Sequence, residues 1–205
     1  MLNLEELLDK EVIEFIGEVE QLDEYKALHG GTITDETYIR FLKTFYIMES
    51  ISADAVHRAS QNTKQTNPYL SQRFDFCAEG ERGHAEIALK DLLDMGISGV
   101  DTNGNGIVNK YNDFLQTGAD ELPAQIVGHS YIFESASAVL FPKQEIADNP
   151  KRFVEIHAKE DPGHSQAIRR TVRKIEPDLS TEEKKKIVNF SKQSGRYFID
   201  LFSQI

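Results

Sequence analysis

The stretch FVEIHAKEDPGHSQAIRR, residues 153–170, holds His157, Asp161 and His164 at spacings of four and three. A helix turns roughly 100° per residue, so these side chains fall within about 60° of one another on one stripe. Two imidazoles and a carboxylate on one stripe form an N/O donor set suited to a transition metal. Pro162 and Gly163 interrupt the stretch. Proline removes a backbone hydrogen bond, so the helix is expected to bend or widen there, as irregular turns at functional sites often do.

Upstream, Glu81-Arg82-Gly83-His84 places a carboxylate and an imidazole three residues apart, the arrangement by which di-iron bundles reach inward. Gly80 and Gly83 flank it. Each glycine costs about 1 kcal/mol in a helix interior, which implies that something approaches the backbone closely. Between the two motifs lies a largely apolar segment, Ala124–Leu140, with one internal acid, Glu134. A buried lone carboxylate is expensive; a role bridging two metal ions resolves that expense.

Helical periodicity dominates the whole chain, with no run of strand-like alternation. Asn3 and Glu6 suit a capped first helix through about Leu22. Thr34-Asp35-Glu36 opens a second, with Tyr38, Phe41, Leu42 and Phe45 inward, and His29-Gly30-Gly31 reads as loop. Asn67-Pro68 starts a third that stops at Gly96, by the cap-then-proline and terminal-glycine signals. A polar loop over Asp101–Gly106 leads to a short helix, Val108–Gln116; a fifth runs from Pro123 to about Leu140. Asn149-Pro150 opens a sixth that ends near Pro177. Ser180 and Glu183 form a capping box for the last, with Ile187, Phe190, Phe198 and Leu201 inward. Seven helices with no internal repeat make an all-α bundle, expected as one domain over residues 1–205.

The formal net charge is −11, which argues against nucleic acid or an anionic membrane as partner, since both need clustered cations. Cys77 is the only cysteine, so no intrachain disulfide framework exists and a reducing compartment is expected. Glu5, Glu6 and Asp9 stand where a signal peptide would be basic and then apolar. No apolar run approaches the roughly 18 residues of a membrane span. A cytoplasmic protein is expected.

His157-x3-Asp161-x2-His164, Glu81-x2-His84 and Glu134, with the segments ERGHAEIALKDLLDMG (81–96) and YIFESASAVLFP (131–142), resemble the haem-oxygenase-like di-iron oxidases. The resemblance follows helix order from Tyr38-Ile39-Arg40-Phe41-Leu42 onward. It implies a seven-helix haem-oxygenase-like bundle, often a homodimer. The metal ligands it implies are Glu81, His84, Glu134, His157, Asp161 and His164. They would hold two Fe(II) ions, with manganese compatible at one position, and O2 is the co-substrate. Glu134 and Asp161 are the expected catalytic carboxylates, and the substrate is a small amine-, amino-acid- or carboxylate-bearing metabolite. Tyr46, Met48, Glu49, Tyr131 and Phe133 are pocket candidates, and Arg169 or Arg170 a carboxylate anchor.

Blander readings stand beside these. Glu49 reads as a substrate contact or extra iron ligand, or, preferred, as an internal hydrogen-bonding group. Asp54-x2-His57 repeats ligand spacing but precedes a polar stretch, which favours the surface. Asp101-x-Asn103-x-Asn105-Gly106 begins like a calcium loop, yet Asn112 stands where a bidentate glutamate is needed. Cys77 is a candidate nucleophile by analogy with TenA-like hydrolases of the same fold; one turn from Glu81, it reads more simply as a packed small hydrophobe. A non-enzymatic metal-binding protein of this fold is a further alternative. Haem binding would need a proximal histidine on the first helix, which has none.

Overall fold

Reciprocal hydrogen bonds set the first helix going: Asn3 accepts the Glu6 N–H, and the Glu6 carboxylate accepts the Asn3 N–H, each at 2.9 Å. In the computed structural model, which describes residues 2–100, 106–141 and 151–204, this helix, α1, spans Leu4–Val19. The chain then turns, and a short α2 covers Asp23–His29. The described residues therefore hold eight α-helices, one more than the seven expected. The sequence hid α2 because its N-cap is Leu22, in extended backbone with no side chain to cap the helix. Asp23 and Glu24 favour the positive end of its dipole instead. Gly31, at φ 65°, supplies the left-handed turn that ends it. The His29 Nε2–H donates to the Leu140 carbonyl at 3.0 Å, which docks α2 on the far end of a later helix.

Two long helices follow, α3 (Asp35–Thr63) and α4 (Pro68–Asp94). Thr34 caps the first and Asn67 the second, each side chain accepting the N–H three residues on. Their short connection folds them back on each other along much of their length. Helices α5 (Gly106–Glu121), α6 (Gln125–Leu140), α7 (Arg152–Ile175) and α8 (Thr181–Gln204) complete the bundle, with a 3₁₀ turn at Glu176–Asp178 before α8. The candidate calcium loop, Gly106 aside, and the Asn149-Pro150 signal lie outside the described residues.

The core sits around α6, which packs on α1, α7 and α8. A Cβ on Gly128 would lie 2.4 Å from the Ile187 carbonyl oxygen, so the α6–α8 approach requires glycine there. Phenylalanines from four elements fill the centre: Phe41 and Phe45 of α3, Phe141 after α6, Phe153 of α7, and Phe198 and Phe202 of α8. Helix α7 runs unbroken through Pro162 with no widened turn. Proline lacks an N–H, so the helix continues there without the donor that would reach Ala158.

Candidate metal centre

Four helices converge on one internal volume. Helix α3 supplies Glu49, α4 supplies Glu81 and His84, α6 supplies Glu134, and α7 supplies His157, Asp161 and His164. Asp91 of α4, fully buried, fixes the start of α7. It accepts the Phe153 N–H at 2.9 Å and Arg152 Nη1–H at 2.8 Å. That tether sets the register in which the α7 stripe faces α4.

Two groups of donor atoms result, each with all members within 4.8 Å of one another. Glu49, His84 and His157 make the first, and Glu134, Asp161 and His164 the second. Glu49 Oε1 lies 3.8 Å from His157 Nε2. His164 Nδ1 lies 3.3 Å from Glu134 Oε2 and 3.8 Å from Asp161 Oδ1. The groups adjoin, with the His84 ring 4.4 Å from that of His157 and 6.1 Å from that of His164. The His157 Nδ1–H donates to the Phe153 carbonyl at 2.7 Å, which leaves the Nε2 lone pair directed at the cluster.

Glu81 belongs to neither group. It is hydrogen-bonded to Glu49, and burial, followed by the neighbouring Glu49 charge, pushes its carboxyl well up. Glu49 is pushed up to about 7 by burial, with Glu134 and Asp161 adding to the rise. Two carboxyl groups that share a hydrogen bond hold one proton between them. Glu49 thus makes the internal hydrogen bond foreseen for it and also stands among the metal-type donors.

Burial pushes Asp161 up to about 9, reinforced by Glu134 and Glu81. Neither of its buried oxygens has a hydrogen-bond partner. Burial holds His84 and His157 down at about 4, so both rings are neutral donors at neutral pH. The Glu134 carboxylate, 3.3 Å away, raises His164. Among the described residues no lysine or arginine pairs with any of these four acids. A buried set of four carboxyls and three imidazoles without a lysine or arginine counter-cation, one acid with neither oxygen hydrogen-bonded among the described residues, fits divalent metal ions of N/O preference.

Two cavities meet at this cluster. The larger, about 350 Å³, is lined by Glu81, His84, Glu134 and His164, with Arg73, Phe76 and Cys77 also in its wall. Gly80 and Gly83 border it, and no atom lies within 4 Å of a Cβ built on either. Among the described residues nothing outside their own helix approaches these glycines as the sequence had implied; their missing side chains widen the cavity. The narrower cavity, about 60 Å³, has phenylalanine walls and touches Glu49, Glu81, Ser52 and His129.

Of the pocket candidates, Met48, Glu49 and Phe133 line the narrow cavity. Tyr46 lines neither cavity and packs against the core. Tyr131 and Arg169 require correction: the Tyr131 hydroxyl donates to Asp9 at 2.7 Å, and Arg169 is held by Glu5 and Asp9. Helix α1 covers that face, which a periodicity argument within α6 or α7 cannot reveal. Arg170 is exposed, and His57 pairs with Asp75 at 3.5 Å on the surface. Burial pushes the Cys77 thiol up to about 12, despite the Arg73 guanidinium beside it, so it stays a thiol. Asp91 and His129 escaped the sequence reading, although His129, like Glu134, is a polar residue in the apolar α6.

No protein-family model and no curated protein matches the sequence. Solved structures do match. A TenA homologue from Pyrococcus furiosus superposes with a TM-score of 0.77 at 15% identity, covering 98% of each chain. A domain of unknown function with a haem-oxygenase-like fold, from Shewanella denitrificans, gives 0.77 at 17% identity over 100% of this chain and 94% of that one. Haem oxygenase-1 from the cyanobacterium Synechocystis, in complex with haem, gives 0.68 at 17% identity over 99% and 92%. The chain is an all-helical protein of the haem-oxygenase-like fold. No helix among the described residues is long and apolar enough to cross a membrane.

Proposed function

We propose that this protein is a non-haem di-iron oxidase that uses O2 to oxidise a small amine-, amino-acid- or carboxylate-bearing molecule. The observation that carries the reading is the uncompensated acid cluster. Four carboxylates would carry −4, the charge that two Fe(II) ions balance. Glu49, His84 and His157 would hold one ion, Glu134, Asp161 and His164 the other, and Glu81 would support Glu49. Iron bound there would supply the electrons that reduce O2 and the oxidising power that results.

The chain's own residues do the rest. Phe153 holds the His157 tautomer, and Asp91 holds the helix that carries it. The larger cavity admits a small substrate beside Glu134 and His164, with the Arg73 guanidinium in its wall. The phenylalanine core keeps bulk water from the Glu49 side. Asp161 and the Glu49–Glu81 pair surrender protons as cations enter, which matches their charge to the metal.

A second reading, a TenA-like hydrolase, draws on the fold relatives and on Cys77 lining the same cavity. The raised thiol disfavours it, because the thiolate is the nucleophile. Anaerobic titration decides between them. Wild type is expected to take up close to two Fe(II) per chain, and His164→Ala one or none. Unchanged uptake in that variant would remove the α7 stripe from the site.

A further inference from the structure

Ser52 of α3, Tyr111 of α5, His129 of α6 and Ser194 of α8 form one chain of hydrogen bonds, each residue at most 4% exposed. Its direction follows from one end. Ser194 Oγ donates to the Phe190 carbonyl at 2.9 Å, so it accepts from His129 Nδ1 at 3.2 Å, and Nδ1 carries the ring proton. Burial holds this imidazole neutral, down at about 3; Nε2 is therefore a bare lone pair. Ser52 Oγ, 3.0 Å away, donates to it and accepts the Tyr111 hydroxyl at 3.1 Å. The Tyr111 proton thus has a defined path through Ser52 to His129.

The path lies beside the acid cluster. Ser52 is one helical turn after Glu49, and both line the narrow cavity with His129. On its other side the Tyr111 ring lies 5.7 Å, centroid to centroid, from Tyr197, a half-buried residue that borders an open surface groove with Phe114. A fully buried phenol cannot shed a proton alone. One with a neutral imidazole waiting behind a serine can lose its proton and an electron together.

We propose that Tyr111 is a redox-active tyrosine relaying electrons between the surface, through Tyr197, and the iron pair, with His129 as its proton acceptor through Ser52. The proposal rests on the di-iron reading above. Iron held by the Glu49 and Glu134 groups would, once oxidised by O2, accept one electron from the phenol and so be reduced by one equivalent. The phenol proton moves to Ser52 Oγ as the Ser52 proton moves to His129 Nε2, leaving a neutral tyrosyl radical and an imidazolium. An enediol reductant such as ascorbate, delivering one electron through Tyr197, restores the phenol as the proton returns along the same path.

The full chain, loaded anaerobically with two equivalents of Fe(II), is mixed with O2 and freeze-quenched, and the same samples are read by EPR and Mössbauer spectroscopy. An organic radical is expected as the iron oxidises, with hyperfine structure that collapses when tyrosine is ring-deuterated. Tyr111→Phe should lose it while its iron still oxidises, and Ser52→Ala should lower its yield. Tyr197→Phe should keep the radical but slow its quenching by ascorbate. Iron that oxidises with no radical, or the same radical in Tyr111→Phe, makes the network merely structural and overturns the proposal with the di-iron reading intact. Failure to take up iron removes both.

Discussion

Replacing Asp161 by asparagine should reverse the usual expectation for an acidic site residue and stabilise the metal-free protein, increasingly so as pH rises. The Asp161 carboxyl has an ordinary value of 3.8 and lies at about 9 in the fold, mainly through burial. Between those limits the folded chain keeps a proton that the unfolded chain has lost, so stability falls with rising pH by about 1.4 kcal/mol per unit. From pH 6.5 to 8.5 that amounts to about 3 kcal/mol. His84 and His157, held at about 4, act in the opposite sense, adding stability as pH rises toward 6.5, and are spent above it. Glu49 and Glu81 are present in both proteins. The difference between wild type and Asp161→Asn therefore reads chiefly Asp161, because asparagine keeps the shape and has no proton to lose, with a smaller contribution from Glu49, whose rise the Asp161 charge reinforces. For a chain of this length the gap in Tm should widen by about 6–12 °C over those two units. Chelator-treated full-length protein, unfolded by urea and by heat at pH 6.5 and 8.5, supplies the measurement. Two equivalents of Fe(II) under anaerobic conditions should flatten the wild-type slope and leave the variant's nearly unchanged. If wild type and variant shift in parallel between the two pH values, Asp161 is not a buried acid that keeps its proton and the reasoning fails.

Three further outcomes follow from named contacts. Glu49→Gln should weaken Fe(II) uptake at the His84–His157 group by tenfold or more, on the order of a lost ligand or its close support, as anaerobic titration will report. Glu134→Ala should abolish O2-dependent product formation with the helical circular dichroism retained, whereas Cys77→Ala should leave turnover near wild type; the opposite pattern would favour the thiol hydrolase. Gly128→Ala should cost about 1–3 kcal/mol in urea unfolding, since its Cβ would press on the Ile187 carbonyl oxygen at 2.4 Å.

Much of this was legible along the chain because helices carry their geometry in their spacing. The stripe His157, Asp161, His164 and the pair Glu81, His84 needed only 3.6 residues per turn to be read. The caps at Asn3, Thr34 and Asn67 announced their helices through side-chain acceptors placed three residues before the N–H they receive. Helix α2 gave no such notice, since its N-cap is an apolar leucine and its docking bond comes from His29 to a carbonyl 111 residues away.

Residue spacing by itself determined that the protein is helical and which face of α7 and α4 carries imidazoles and acids, because those are properties of a single helix. Only the tertiary structure decided which helices meet. It set Glu49 with His84 and His157 and drew Glu81 into a hydrogen bond with Glu49. It turned Tyr131 and Arg169 toward α1, and it joined Tyr111, Ser52 and His129 across three helices. Each of those outcomes depends on one helix packing against another at a distance no local period encodes. The charge on Asp161 depends on it too, since burial by neighbouring helices holds that proton in place.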